Sequence, residues 1–97
     1  MNRIIKGKIV VINNKRDYYK IRERTILVAK NTTPDLVVVI NKIEAIVTEV
    51  DNKLCHAAII AREFNKPLLM GVDEVTKKFK TGDRVMVDFD NRTIKTI

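Results

Sequence analysis

The chain has 97 residues, 45% of them hydrophobic, and a formal net charge of +7; this implies one small globular domain with one core and excludes a disordered chain. No uninterrupted apolar stretch is long enough to cross a bilayer, and Arg3 and Lys6 stand where a signal peptide would need an apolar block, so the expected location is the cytoplasm, with no membrane partner. A single cysteine and a single histidine exclude an internal disulfide and a structural zinc site, no acidic spacing suggests a metal, and so no bound cofactor is expected.

Ile4–Ile12 reads as a strand, with Gly7 a bulge or kink. Asn13 to Asp17 is a turn cluster, and Tyr18–Ile21 reads as a return strand, making residues 1–25 a basic strand or hairpin region. That region holds Arg3, Lys6, Lys8, Lys15, Arg16, Lys20, Arg22 and Arg24 against Asp17 and Glu23, a balance of +6. Such an end can meet nucleic acid or an acidic protein surface, or it can be a plain solvated face. Thr25–Ala29 is a short apolar strand.

Thr32-Thr33-Pro34-Asp35 carries a helix-start signal: a hydroxyl cap, proline in the first turn and a carboxylate at the positive end of the dipole. The run Leu36–Ile40 that follows is β-branched and favours strand on propensity, so the two signals conflict. A short helix to about Lys42 is the reading adopted. Ala45–Thr48 is then a buried strand delivering the polar loop 49–53. In the next helix, Cys55–Phe64, a rotation of about 100° per residue puts Ala57, Ile60, Ala61 and Phe64 on the core face. His56, Ile59 and Glu63 fall on a more exposed side. Pro67 ends this helix region, Leu68–Met70 is a strand, and Asp73 can cap a helix to about Lys80, stopped by Gly82. Arg84–Asp88 and Thr93–Ile97 flank a turn and predict a terminal hairpin. Short strands mixed with about three helices make an α/β or α+β sandwich.

The chemistry concentrates on His56. It stands where a loop becomes a helix, and the unpaired first-turn amides and the helix dipole favour an anion there. A neutral imidazole is also a good nitrogen nucleophile near pH 7, able to carry a phosphoryl group covalently. The amides following Cys55 can hold phosphate oxygens, and Arg62 is a candidate for charge pairing, although it lies about two turns away. A lone histidine is otherwise an ordinary core or surface residue. A thiol beside a helix N-terminus can be acidified.

Thr33-Pro34-Asp35, Ala45-Ile46-Val47-Thr48-Glu49, the block Cys55-His56-Ala57-Ala58-Ile59-Ile60-Ala61-Arg62-Glu63, Pro67 with Gly71, and Thr81-Gly82-Asp83-Arg84-Val85-Met86-Val87-Asp88 follow one another in order. This pattern resembles the mobile phosphohistidine domain of the PEP-utilising enzymes: phosphoenolpyruvate synthase, pyruvate phosphate dikinase and enzyme I of the sugar phosphotransferase system. The Cys55–Glu63 block is most similar to the synthase. The resemblance spans most of residues 7–97 and implies the swivelling β/β/α fold, with 1–97 a single domain, and it supports the helix at Pro34. It makes His56 the transiently phosphorylated residue, carrying a phosphoryl group from a nucleotide-binding domain to a pyruvate or phosphoenolpyruvate site, and it makes Cys55 a packing residue.

The family pattern has a Gly-Gly pair and a threonine where this chain has Asp51-Asn52-Lys53-Leu54. Asn52 can visit the left-handed region, and Lys53 can offset the charge that Asp51 brings near a phosphate. Two readings stay open: phosphotransfer with different neighbours, or a retained fold without it.

The chain has no Gly-rich nucleotide loop and no segment large enough for a pyruvate site. The expectation is therefore a stand-alone phosphoryl carrier, a phosphotransferase component whose ATP-binding and PEP- or pyruvate-binding modules act in trans. Those partners would hold the magnesium. They would dock on Cys55, Ala57, Ile59 and the His56 side of the helix. The alternative is a non-catalytic module binding a protein or nucleic acid through the basic N-terminal region. A self-sufficient hydrolase lacks support, since the chain contains no serine and no conspicuous carboxylate pair.

Overall fold

The computed structural model describes residues 3–52 and 55–97. Six strands form one mixed sheet: β1 (Ile4–Ile12), β2 (Thr25–Ala29), β3 (Ile43–Thr48), β4 (Leu68–Leu69), β5 (Arg84–Asp88) and β6 (Thr93–Thr96). Their spatial order is β4-β3-β2-β1-β5-β6. The strands β1 to β4 pair in parallel, whereas β5 and β6 form the expected antiparallel hairpin. Among the described residues three α-helices accompany the sheet, α1 (Leu36–Val39), α2 (His56–Glu63) and α3 (Val75–Lys78), together with 3-10 turns. This is the α/β class expected.

β1 serves two sheets' worth of pairing. Its first half, Ile4 to Lys8, runs antiparallel to β5, and its second half, Ile9 to Ile12, runs parallel to β2. The loop after α3 continues the β5 edge, since Ile9 N donates to the Asp83 carbonyl at 3.0 Å and Val11 N to Thr81 Oγ1 at 2.9 Å. Gly7 makes no bulge, because the register Lys6↔Met86, Gly7↔Val85, Lys8↔Arg84 is unbroken. Its role is close approach instead: a Cβ there would meet the Arg24 carbonyl at 3.4 Å and Ile26 Cδ1 at 3.5 Å.

The residues read as a return strand are not one. Lys15–Lys20 is a 3-10 helix. Asn14 accepts from Arg16 N at 2.9 Å, and Asp17 Oδ2 accepts from Asn13 N at 2.8 Å and Asn14 N at 3.1 Å. This reciprocal cap satisfies the free amides of the turn. A hairpin return would also have occupied the edge of β1 that β2 takes. Parallel β1 and β2 need a crossover, and the 3-10 helix with Tyr18 and Ile21 buried against the sheet supplies it.

Because side chains alternate along a strand, each central strand feeds two cores. Val10, Ile12, Leu27, Ala29 and Ile46 pack under the 3-10 helix, α1 and α2. On the other face Ile9, Val11, Ile26, Val28, Ala45 and Val47 meet Val75 and Phe79 of the α3 region and Val85 and Val87 of β5, so the sheet curls to bring β5 over the far strands. The β-branched run at 36–40 is helical because Leu36 and Ile40, at i,i+4, both reach the core at 0% and 2% exposure while Val38 faces out at 85%. A 3-10 turn over Ile40–Lys42 ends that helix.

Ala57, Ala58, Ile60 and Ala61 bury α2, but Phe64 does not follow them and is 37% exposed. The helix has already ended. Asn65 sits at φ 56°, Lys66 N bonds to the Ala61 carbonyl at 2.8 Å and Asn65 N to the Arg62 carbonyl at 3.3 Å. These are the two bonds of a Schellman stop, so Asn65 terminates α2 before Pro67 is reached. Replacing Asn65 by alanine is expected to lower unfolding free energy by up to about 1 kcal/mol, because alanine keeps the Cβ at positive φ but loses the side-chain amide whose local hydrogen bonding lets asparagine tolerate the left-handed region. Asn65→Gly should leave it within a few tenths; urea unfolding of both variants checks this.

Candidate functional site

The parallel strands end on one edge of the sheet, and the candidate site lies there. β2 ends at Ala29 and delivers residues 30–35; β3 ends at Thr48 and delivers the loop leading to α2. His56 is the first residue of α2. Cys55, the N-cap, has extended backbone (φ −72°, ψ 162°) and makes no side-chain cap. Its own amide bonds to the Asn52 carbonyl at 3.0 Å, and its carbonyl starts the helix by accepting from Ile59 N at 3.1 Å. The amides of His56, Ala57 and Ala58 are thus the first-turn donors with no carbonyl partner within the helix.

Among the described residues, the imidazole has a hydrogen-bond partner that the sequence did not assign to it. Thr32 Oγ1 lies 2.9 Å from His56 Nδ1, and Thr32 is buried at 7% exposure. The hydroxyl in the Thr32–Asp35 start signal is therefore committed to His56 and not to capping α1. The N-cap of α1 is Asp35, without a side-chain cap, and Thr33 Oγ1 turns to Asp35 Oδ2 at 3.2 Å. Thr32 thus engages the ring at Nδ1 and not at Nε2. His56 itself is half-buried, which keeps it within reach from outside.

The loop before α2 is tied down at its start. Glu49 Oε2 accepts from Thr76 Oγ1 at 2.6 Å and Thr76 N at 3.1 Å. Glu49 thereby occupies the capping role that the sequence assigned to Asp73; the residue before α3 is Glu74, left-handed and without a side-chain cap. The Thr76 hydroxyl, then the Thr76 amide, hold the Glu49 carboxyl below its ordinary range, with Lys30 and Lys77 adding in the same direction against a burial penalty. Val72 N bonds to the Thr48 carbonyl at 3.1 Å and Gly71 N to the Val50 carbonyl at 3.3 Å. Gly71, at φ +76°, lies under Asp51, whose Oδ2 would stand 3.0 Å from any Cβ there. The Asp51 side chain is packed against the end of β4.

Among the other residues singled out, Ala57 is fully buried and offers only its backbone, while Ile59 is 48% exposed beside His56. Arg62 lies in the last turn of α2, exposed, about 9 Å along the axis from His56 and on another face. The fold does not bring it to the imidazole; there it complements the negative end of the helix dipole. Lys53 and Leu54 lie outside the described residues. Among the described residues, no three His, Cys, Asp or Glu side chains gather as a metal site, and no helix is long and apolar enough to cross a membrane.

The family model described as the PEP-utilising enzyme, mobile domain, matches residues 21–92, a stretch that includes Thr32, His56 and the whole of α2. The chain belongs to that family. Phosphoenolpyruvate synthase of Pyrococcus furiosus is 43% identical to this mobile domain over 82 residues, covering 84% of the chain and 10% of the relative. The Escherichia coli phosphoenolpyruvate synthase is 37% identical over 86 residues, covering 89% and 11%. A solution structure of Enzyme I (nEIt) has a similar fold, with a TM-score of 0.61 at 28% identity over 76% of this chain and 31% of that one. The chain thus spans about a tenth of the length of the curated relatives it matches.

Two outcomes follow from this geometry. Glu49→Gln, which keeps an acceptor oxygen but removes the charge, should lower stability by about 0.3–1 kcal/mol at neutral pH, the worth of a carboxylate at a helix N-terminus. The folded-state pKa of Glu49 lies below its unfolded value, so its contribution is complete above the ordinary glutamate range and disappears as pH falls through the folded value. The melting-temperature gap between wild type and variant should therefore close on acidification. Thr32→Val should change the Nδ1–H to Nε2–H ratio of His56, read from long-range 1H–15N spectra of the imidazole at alkaline pH.

Proposed function

We propose that this mobile domain is a phosphoryl carrier that accepts the group on His56 Nε2 and passes it between two partner sites. The observation that carries the reading is the 2.9 Å contact of Thr32 Oγ1 with His56 Nδ1, at the first residue of a helix. When Nδ1–H donates to the hydroxyl, the proton is held on Nδ1 and the lone pair stays on Nε2. That lone pair forms the N–P bond as the P–O bond of the donor breaks, with the bonding electrons leaving on the donor oxygen. The ring becomes cationic and keeps its Nδ1–H on Thr32. In the second transfer the acceptor oxygen attacks phosphorus, and the ring departs as neutral imidazole with its original proton. The first-turn amides of His56, Ala57 and Ala58, with the positive end of α2, stabilise the carried anion.

Donor and acceptor are proposed to be the ATP-binding and the PEP- or pyruvate-binding sites of partner modules. The two resemblances, to phosphoenolpyruvate synthases and to Enzyme I, support this class of chemistry. Magnesium would be held by those partners. Ile59 and Glu63, exposed beside His56, form the docking side.

A second reading rests on a separate feature. Lys8, Lys20, Arg22 and Arg24, with Glu23, line one groove of about 220 Å³ at the start of β2, the opposite end of that strand from Thr32. A binding module would use this groove for an acidic protein or nucleic acid, and its binding would weaken steeply with salt and ignore His56→Ala.

The deciding experiment is intact mass after incubation with phosphoenolpyruvate or ATP in source-cell extract, quenched in alkali. The expected result is one added phosphoryl group, lost in acid and absent in His56→Ala, with that variant keeping its fold by circular dichroism. Labelling that persists in His56→Ala, or none in an extract that phosphorylates a known histidine carrier, overturns the reading.

A further inference from the structure

Tyr18 is one of the largest polar side chains in the core and has no part in the mechanism above. It is 4% exposed, packed in the cluster under the helices with Val10, Ile12 and Leu36. Its ring is held in place from both directions. The 3-10 helix that carries it is capped by Asn14 and Asp17, and Asp17 Oδ1 also takes Lys20 Nζ at 2.9 Å.

The Tyr18 hydroxyl accepts a hydrogen bond from Thr33 N at 3.1 Å, with Thr33 Oγ1 also within 3.4 Å. Thr33 N belongs to the peptide plane that begins at the Thr32 carbonyl, directly attached to Thr32 Cα. The peptide on the other side of Thr32 is held too, because Thr32 N donates to Asn31 Oδ1 at 2.9 Å. The plane after Thr32 Cα is thus tied to a buried side chain, while the plane before it carries only the local Asn31 bond. Only the dihedral angles between those planes set where Cβ points, and Thr32 has few χ1 choices once they are set. The hydroxyl that meets His56 Nδ1 is therefore aimed by the bond that Tyr18 makes one residue away. The next residue, Pro34, has no N–H with which the loop could be fixed independently.

We propose that Tyr18 is a positioning residue for His56: its hydroxyl fixes the Thr33 amide, this orients Thr32 Oγ1, and the oriented hydroxyl keeps the His56 proton on Nδ1 and the lone pair on Nε2. The significance for transfer rests on the carrier reading, but the tautomer is measured in unphosphorylated protein and does not depend on it.

The test is a double-mutant cycle read on the imidazole. Protein labelled with 15N-histidine is prepared as wild type, Tyr18→Phe, Thr32→Val and the double variant. The Nδ1–H to Nε2–H ratio of His56 is taken from long-range 1H–15N spectra at alkaline pH. Tyr18→Phe keeps the ring and removes the acceptor, and should lower the ratio by about threefold to tenfold, the range of one net hydrogen bond. Thr32→Val should lower it at least as far, and adding Tyr18→Phe to Thr32→Val should change it no further. A wild-type ratio in Tyr18→Phe overturns the proposal. So does an equal additional fall in the Thr32→Val background, because Tyr18 would then act by another route. If Tyr18→Phe does not fold, 4-aminophenylalanine at position 18 keeps a polar group of similar size that is a poor acceptor, and the same two outcomes decide. A protein that shows the expected cycle yet takes up no phosphoryl group would refute the carrier reading and leave the positioning role standing.

Discussion

Parallel pairing of β1, β2 and β3 is the constraint on which the rest of the structure depends. It obliges each connection to cross a face of the sheet, and it lines up the carboxyl ends of the strands on one edge. The crossovers are the 3-10 helix, α1 and α2, all burying side chains in one cluster. As a result residue 32, just past β2, and residue 56, just past β3, become neighbours although the chain between them passes through a helix and a strand. Ligand sites at the carboxyl ends of parallel strands are a general property of such sheets, and here the property is expressed as a single 2.9 Å contact.

The site is supported from both faces of the sheet. On the helix side, Tyr18 reaches the 31–35 loop through its hydroxyl. On the opposite side, Thr76 of α3 anchors Glu49, and Gly71 and Val72 bond to the carbonyls of Val50 and Thr48. The loop that departs from the family pattern therefore begins from fixed points. Asp51, the acidic replacement in that loop, packs against the end of β4, where Gly71 leaves room for it.

Much of this was legible in the residues. β1 and β2 have the limits that alternation and apolar content predicted, Ile4–Ile12 and Thr25–Ala29, and the terminal hairpin and α2 stand where expected. Two local signals run against the expected elements. Asn14 with Asp17 three residues on is a capping pattern, and it points to the 3-10 helix rather than to a return strand. Asn65 is a residue tolerant of the left-handed region, and it marks the true end of α2, which is why Phe64 escapes the core stripe. The cap of α3 was not legible, because Glu49 comes from 27 residues away and only the sheet brings it to Thr76.

By itself, the sequence determined the α/β class, most of the elements, the placement of His56 at a helix start and the membership of the family, because these rest on periodicity, capping and a contiguous motif. Only the tertiary structure decided what surrounds that histidine. Thr32 as its partner, Tyr18 behind Thr32 and Glu49 as the cap of α3 all depend on parallel register and crossovers. Pairings of that kind join residues distant in the chain, and no local pattern of residue types encodes them.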